Sequence, residues 1–152
     1  MIRLETSKGT GINNFQEFDI SQTQKNWDAE IPKKYPLAVR RTEMSALYNC
    51  HGLTFASRRT RVENTRDVHR ILNDDSWIEV PEGPDVLAGD LVVYYSEDGD
   101  ANHSGIVVQC CPPLYVPVVC SKWGSSGEFV HSVRYYPNDM YGPFVKFYRC
   151  RL

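Results

Sequence analysis

Hydrophobic and polar positions change rhythm once along this chain, near residue 81. Before it, apolar residues recur at helical spacing. After it, they come in short runs separated by turn residues. Within 44–59, Ala46, Leu53 and Ala56 fall near one helical face, and Asn49 is a good N-cap type directly before Cys50. A second helix is predicted from near Asn64, with Asp67 three residues on, Val68, Ile71 and Leu72 as its apolar face, and Asn-Asp-Asp at 73–75 closing it. Residues 1–40 are less regular. Ile20, Trp27, Ile31, Tyr35 and Leu37 are scattered and broken by Pro32 and Pro36, which predicts an arm of irregular or short elements lying over the core. Beyond Pro81, a turn at 84–90 feeds a strand at 91–95, and the Asp- and Gly-rich stretch 96–102 reads as a hairpin loop. Further strands are predicted at 105–108, 115–119, 128–131 and 145–148. Helices first and strands afterwards indicate an α+β domain, N-terminal helices packed on one side of a C-terminal antiparallel β-sheet.

Composition narrows this picture. With 152 residues, 41% of them hydrophobic, the chain can bury one sizeable core, so the expected organisation is an arm at 1–40 packed on a single domain at 41–152. The 17 Lys and Arg nearly balance 19 Asp and Glu, for a net charge of −2, which gives no general electrostatic reason to bind nucleic acid or a membrane. The amino-terminal MIRLETSKGTGINNF lacks the apolar stretch of a secretory signal, and no run approaches the ~18 apolar residues of a membrane span. A chain made and folded in the cytoplasm is expected, with any export taking a route that needs no signal peptide. Five cysteines (Cys50, Cys110, Cys111, Cys120, Cys150), odd in number and without a CxxC pair, argue against a disulfide framework. Adjacent Cys110 and Cys111 lack zinc-ligand spacing, so neither a metal nor another cofactor is expected.

Cys50 is the first candidate for chemistry. At the start of a helix, free N–H groups and the helix dipole favour a thiolate over the ordinary thiol of pKa ~8.5. Gly52 leaves little bulk over the approach to sulfur, and the Cys50 N–H is placed for an oxyanion. Taken alone, such a cysteine more often packs as a small hydrophobe. His103 changes the balance: it ends the polar loop and opens the apolar strand, where an imidazole can reach a helix N-terminus and act as base. The expected geometry puts Cys50 Sγ within hydrogen-bonding reach of a His103 ring nitrogen, looser without substrate.

Three blocks now stand in order: Asn49-Cys50-His51-Gly52-Leu53, Ala88-Gly89-Asp90-Leu91-Val92-Val93-Tyr94 and His103-Ser104-Gly105-Ile106-Val107-Val108. Together they resemble the NlpC/P60 cysteine peptidases, whose pattern is a Cys-x-Gly-Leu-like helix start, a Gly-Asp-Leu strand and a His-x-Gly-Ile strand. The resemblance covers about residues 48–131 and implies a papain-like fold with Cys50 as nucleophile and His103 as base. It also implies a third polar residue that orients the base, for which His131, closing Gly127-Glu128-Phe129-Val130-His131, is the first choice. Asn138, Asp139 and Ser121 are the other candidates. The phrase Ser121-Lys122-Trp123-Gly124 resembles one found in bacterial relatives of that family.

Departures from the pattern are visible too. His51 stands where the family has a small or polar residue, and could shape the cleft. Met44, six residues before Cys50, cannot donate the oxyanion bond that papain's glutamine supplies from that spacing. Trp123, Lys122, Ser121 and His51 are the candidate substrate-binding residues. Arg58, Arg59, Arg61, Arg66 and Arg70 could meet an anionic substrate group, but read first as a solvated face relieved by Glu63, Asp67 and Asp74. The implied activity is cleavage of an amide or peptide bond through a thioester. The implied partners are a peptide or amide substrate, peptidoglycan peptide among them, and an inhibitor or immunity protein. The rival readings are a catalytically silent papain-fold peptide-binding module and a cytosolic isopeptidase or acyltransferase.

Overall fold

The computed structural model describes residues 1–150. In chain order their elements are α1 (Gln22–Lys34), β1 (Val39–Arg40), α2 (Cys50–Phe55), α3 (Thr65–Asp74), β2 (Trp77–Val80), β3 (Leu91–Tyr95), β4 (Ala101–Gln109), β5 (Val118–Lys122), β6 (Glu128–Ser132) and β7 (Phe144–Cys150). The seven strands form one antiparallel sheet in the order β1-β6-β5-β4-β3-β7-β2. The protein is therefore α+β, with few helices and a large antiparallel sheet.

Both helices expected from periodicity are present and start at their expected caps. Asn49 caps α2 by accepting from Gly52 N–H, and Asn64 caps α3 by accepting from Arg66 N–H. Yet α2 is only six residues long, much shorter than the 44–59 stretch suggested. Its early end follows from Ser57 and Arg58, both in the left-handed region (φ 52° and 65°), which turn the chain back toward Asn49.

The amino-terminal arm is more ordered than its scattered apolar residues imply. The 13-residue α1 opens on a capping box, Ser21 with Gln24, a signal that the interruptions at Pro32 and Pro36 obscured. Pro32 lies near the end of α1, where losing one N–H does not break the helix. The two ends of the arm also part company. Ile12 packs with Ala56, Val62 and Ile71 beside α3, whereas Ile31 of α1 joins the main core of the sheet.

This separation corrects the expectation of helices on one side only. Val92, Tyr94, Val107, Val119, Phe129 and Phe147 share one sheet face and bury Ile31, with Trp27 packed alongside. Neighbouring positions point the other way, as a strand's period of two requires. Val93 meets Val68 and Leu72 of α3, and Cys120, Ile106 and Val108 meet Leu53 and Tyr48. The sheet is therefore covered on both faces, α1 on one and α2 with α3 on the other. Among the described residues no helix is long and apolar enough to cross a membrane.

Candidate functional site

The approach to Cys50 is held by Asn49. Its Oδ1 accepts from Gly52 N–H (2.9 Å) and Val62 N–H (3.1 Å), and its Nδ2 donates to the Val62 carbonyl (2.8 Å). One asparagine thus caps α2 and fastens the 60–62 segment against it. Gly52 serves this contact rather than access to sulfur: a Cβ there would lie 2.0 Å from the Thr60 carbonyl oxygen.

Cys50 is buried, and burial pushes its thiol up to about 11. The backbone N–H groups of Ser104 and His51 oppose that shift, as do the positive charges of Arg61 and Lys122. The expected lowering by a helix N-terminus is outweighed, because α2 has fewer than two turns and desolvation of the sulfur is nearly complete.

His103 adjoins Ser104 on β4 but faces the opposite side of the sheet. Ser104 turns toward α2, its Oγ 2.7 Å from His51 Nδ1 and 2.9 Å from Thr54 Oγ1. His103 is paired with Tyr94 across the β3–β4 ladder and stacks on Tyr141, with centroids 3.7 Å apart and planes 11° from parallel. It is fully buried, and neither ring nitrogen has a hydrogen-bond partner. The direct Cys50–His103 contact expected from the motif is therefore not made. Burial holds the imidazole well below its ordinary pKa, helped by His131 and His51, so it is neutral.

The other buried histidines contrast with it. His51 places Nε2 2.8 Å from the Ala101 carbonyl, so Nε2 carries the proton and Nδ1 accepts from Ser104. Rather than shaping a cleft, His51 ties α2 to β4. His131 donates from Nδ1 to the Ser132 carbonyl (2.8 Å), and its Nε2 accepts from the Ser121 hydroxyl (2.7 Å), which accepts in turn from Trp123 Nε1 (3.0 Å). Both nitrogens of His131 are thus used away from His103, although the two rings lie on one sheet face. Burial lowers both His51 and His131 to about 4. His69 is exposed on α3, and Asn138 and Asp139 are exposed in the 137–142 loop.

The remaining candidates for substrate contact are stitched into the protein. Lys122 is fully buried, donating from Nζ to the carbonyls of Ser45 (2.6 Å) and Gly124 (2.7 Å), with Nζ 4.8 Å from the Tyr48 ring centroid. Burial brings its ammonium down to about 7. Trp123 is fully buried, stacked on Phe129 at 4.4 Å. Of the arginines, Arg58 forks onto the buried Glu128 carboxylate (2.7 and 3.1 Å), which also accepts from Tyr48 (2.5 Å). Met44 lies outside these contacts.

Two further residues stand near the site, Tyr141, which no motif marked, and Arg61, which the arginine run at 58–70 did not single out. Tyr141, in an irregular loop without periodicity, covers His103, and its hydroxyl is raised by burial and by proximity to Cys50. Arg61 was hidden within an arginine-rich run, yet it is the one whose charge bears on Cys50. What distinguishes it is its place within the segment clamped by Asn49. Among the described residues, no three His, Cys, Asp or Glu side chains converge on a metal position.

No protein-family model, curated protein or solved structure matches this chain.

Proposed function

We propose that this protein is a cysteine hydrolase of the NlpC/P60-like, papain-fold kind, cleaving an amide or peptide bond with Cys50 as nucleophile and His103 as base. The observation that carries this reading is His103. A fully buried imidazole with both nitrogens unpartnered forfeits hydrogen bonds that cost about 1–3 kcal/mol to leave unmade. His51 and His131, equally buried, have all their nitrogens satisfied. A residue kept in this state has a task that needs a free nitrogen, and the backbone N–H that follows it along β4 faces the Cys50 sulfur.

In this account the arrangement is a closed, resting one, with a neutral thiol and a neutral imidazole shielded by Tyr141. Withdrawal of the 137–142 loop rehydrates both groups, so the sulfur's pKa falls and the imidazole's rises. The same withdrawal releases the His103 ring from its stack on Tyr141 to turn toward the sulfur, where it accepts the Cys50 proton, and the thiolate attacks the substrate carbonyl. The Cys50 N–H stabilises the oxyanion, with the Ser104 N–H beside it as the second donor that Met44 cannot supply. The imidazolium protonates the leaving amine. Water, deprotonated by His103, then opens the thioester and restores the thiol. His131 is a positioning residue here: its fixed chain to Ser121 and Trp123 keeps the floor under His103 rigid. Peptidoglycan peptides are the first substrates to try, then cytosolic peptides and isopeptides.

A second reading has its own observation. Cys50 and His103 share no hydrogen bond, which suits a catalytically silent peptide-binding module. Mass spectrometry of peptidoglycan fragments and of cell lysate, incubated with the protein or with Cys50→Ala, separates the two. New amine-terminated products with the protein alone support the hydrolase. Identical product profiles in both favour the binding module.

A further inference from the structure

A cavity of about 310 Å³ opens between α1 and the 123–126 turn, lined by Gln24, Trp27, Arg61, Trp123, Ser125 and Met140 with small uncharged neighbours. It is tied to the Cys50 site from three sides. Asn49 clamps the segment that carries Arg61. Lys122 fastens Gly124 to Ser45 on the approach to α2, reinforced by Ser45 N–H donating to the Ser125 carbonyl (3.1 Å). Met140 precedes Tyr141, which stacks on His103.

The chemistry of the lining is unbalanced. Two indoles and a thioether give apolar walls, and Gln24 Nε2 with Ser125 Oγ (3.0 Å) forms a polar rim. Arg61 is the one charged residue among the lining side chains, and no carboxylate faces it from within the cavity. Its guanidinium is mostly buried, held by the Ala46 carbonyl (3.1 Å) and by Glu63, whose own carboxylate is half exposed outside. A planar guanidinium fixed at the end of an apolar slot suits a carboxylate on a short apolar or aromatic stem.

We infer that this cavity is a substrate subsite for the Cys50 centre, one that takes a carboxylate-bearing residue of a peptide or acyl-amino acid, with Arg61 recognising the anion and Trp27 and Trp123 flanking its stem. The inference rests on the hydrolase reading for its purpose, but not for its test. Exchange of the Glu63 carboxylate for the ligand's leaves the guanidinium paired throughout, so entry costs no uncompensated charge.

The test uses hippurate (N-benzoylglycine) and its neutral amide, hippuramide, as probes of Cys50→Ala, where no chemistry intervenes. Titration is followed by tryptophan fluorescence and by calorimetry. Hippurate is expected to bind about tenfold or more tightly than hippuramide, the margin of one charge-assisted bidentate contact. Arg61→Gln should bring the two within about twofold, and Arg61→Lys should retain part of the preference because charge remains while the fork is lost. Trp27→Phe should reduce the fluorescence change on hippurate binding. Thermal melting confirms that each variant is folded, and Arg61→Lys keeps the comparison valid should Arg61→Gln unfold. Equal affinities for the two probes in the Arg61 protein, or a hippurate preference unchanged by either Arg61 substitution, overturn the subsite. A separate arm, iodoacetamide labelling of Cys50 in Tyr141→Ala with and without His103→Ala, bears only on the hydrolase. Carboxylate preference with a Cys50 rate indifferent to His103 would retain the subsite and remove the catalytic reading.

Discussion

The phenol ring of Tyr141 lies flat on the imidazole of His103, 3.7 Å between centroids and 11° from parallel. This stack is what separates a buried, unpartnered histidine from water. The backbone carrying it is pinned at Gly142, whose N–H donates to Asn102 Oδ1 (2.8 Å) and whose carbonyl accepts from Tyr136 (3.0 Å). Removing the ring in Tyr141→Ala should therefore raise the His103 pKa toward the ordinary ~6.5, since desolvation is the first cause of its depression. Histidine NMR titrations read this directly. In the unsubstituted protein His103 should stay neutral well below the pH at which an ordinary histidine titrates.

Three buried histidines with depressed pKa values make stability fall in acid. Above the unfolded value of about 6.5 neither state binds their protons and no penalty exists. Below it, the unfolded chain takes up protons that folded His51, His131 and His103 refuse. The loss continues downward to about 4 for His51 and His131, and to well below the ordinary value for His103. Each histidine contributes up to about 1.4 kcal/mol per pH unit in that window. Urea unfolding at pH 7.5, 6.5 and 5.5 should show this slope, and His103→Phe should reduce it by roughly a third.

Gly52→Ala tests the local packing that places Cys50. The added Cβ would meet the Thr60 carbonyl oxygen at 2.0 Å and the Tyr48 Cβ at 3.0 Å, both on fixed neighbours. A loss of about 3 kcal/mol or more is expected in chemical denaturation, at the upper end for overpacking. Thr60→Ala leaves that backbone carbonyl in place and should not rescue it.

The sequence made the two capped helices and most strand positions legible, because Asn49, Asn64 and the runs at 91–95 and 128–131 are local signals. Helix α1 was missed: its capping box was present, but its apolar positions serve a sheet face built from distant strands. The short β1 and β2 were missed for the same reason, since their pairing partners β6 and β7 lie far along the chain. At the site, Cys50 and His103 could be picked out by type and order. The satisfied states of His51, His131, Ser121, Lys122 and Trp123 could not, because each depends on a carbonyl or hydroxyl brought up by tertiary packing. Tyr141 carried no pattern, and Arg61 was one of five clustered arginines that nothing local told apart.

His131→Ala separates positioning from direct contact. Loss of its bonds to Ser121 and the Ser132 carbonyl should lower stability by roughly 1–3 kcal/mol, the cost of unsatisfied partners and a cavity. Turnover by the folded fraction should fall less than with Cys50→Ala, and the double variant with His103→Ala should lose little beyond His103→Ala alone. Chemical denaturation and activity per folded molecule are the two readouts.

Activation of Cys50 by His103 once the loop is displaced can be read by site-resolved iodoacetamide labelling near neutral pH. Cys50, Cys110, Cys111, Cys120 and Cys150 are quantified in the same sample by mass spectrometry. Tyr141→Ala should speed Cys50 labelling by about tenfold or more while leaving exposed Cys111 unchanged, since only Cys50 gains both access and a base. Adding His103→Ala should return the Cys50 rate to that of an ordinary accessible thiol, because imidazolium no longer stabilises the thiolate. A Cys50 rate in Tyr141→Ala that is the same with and without His103 would mean that His103 is not the base of Cys50.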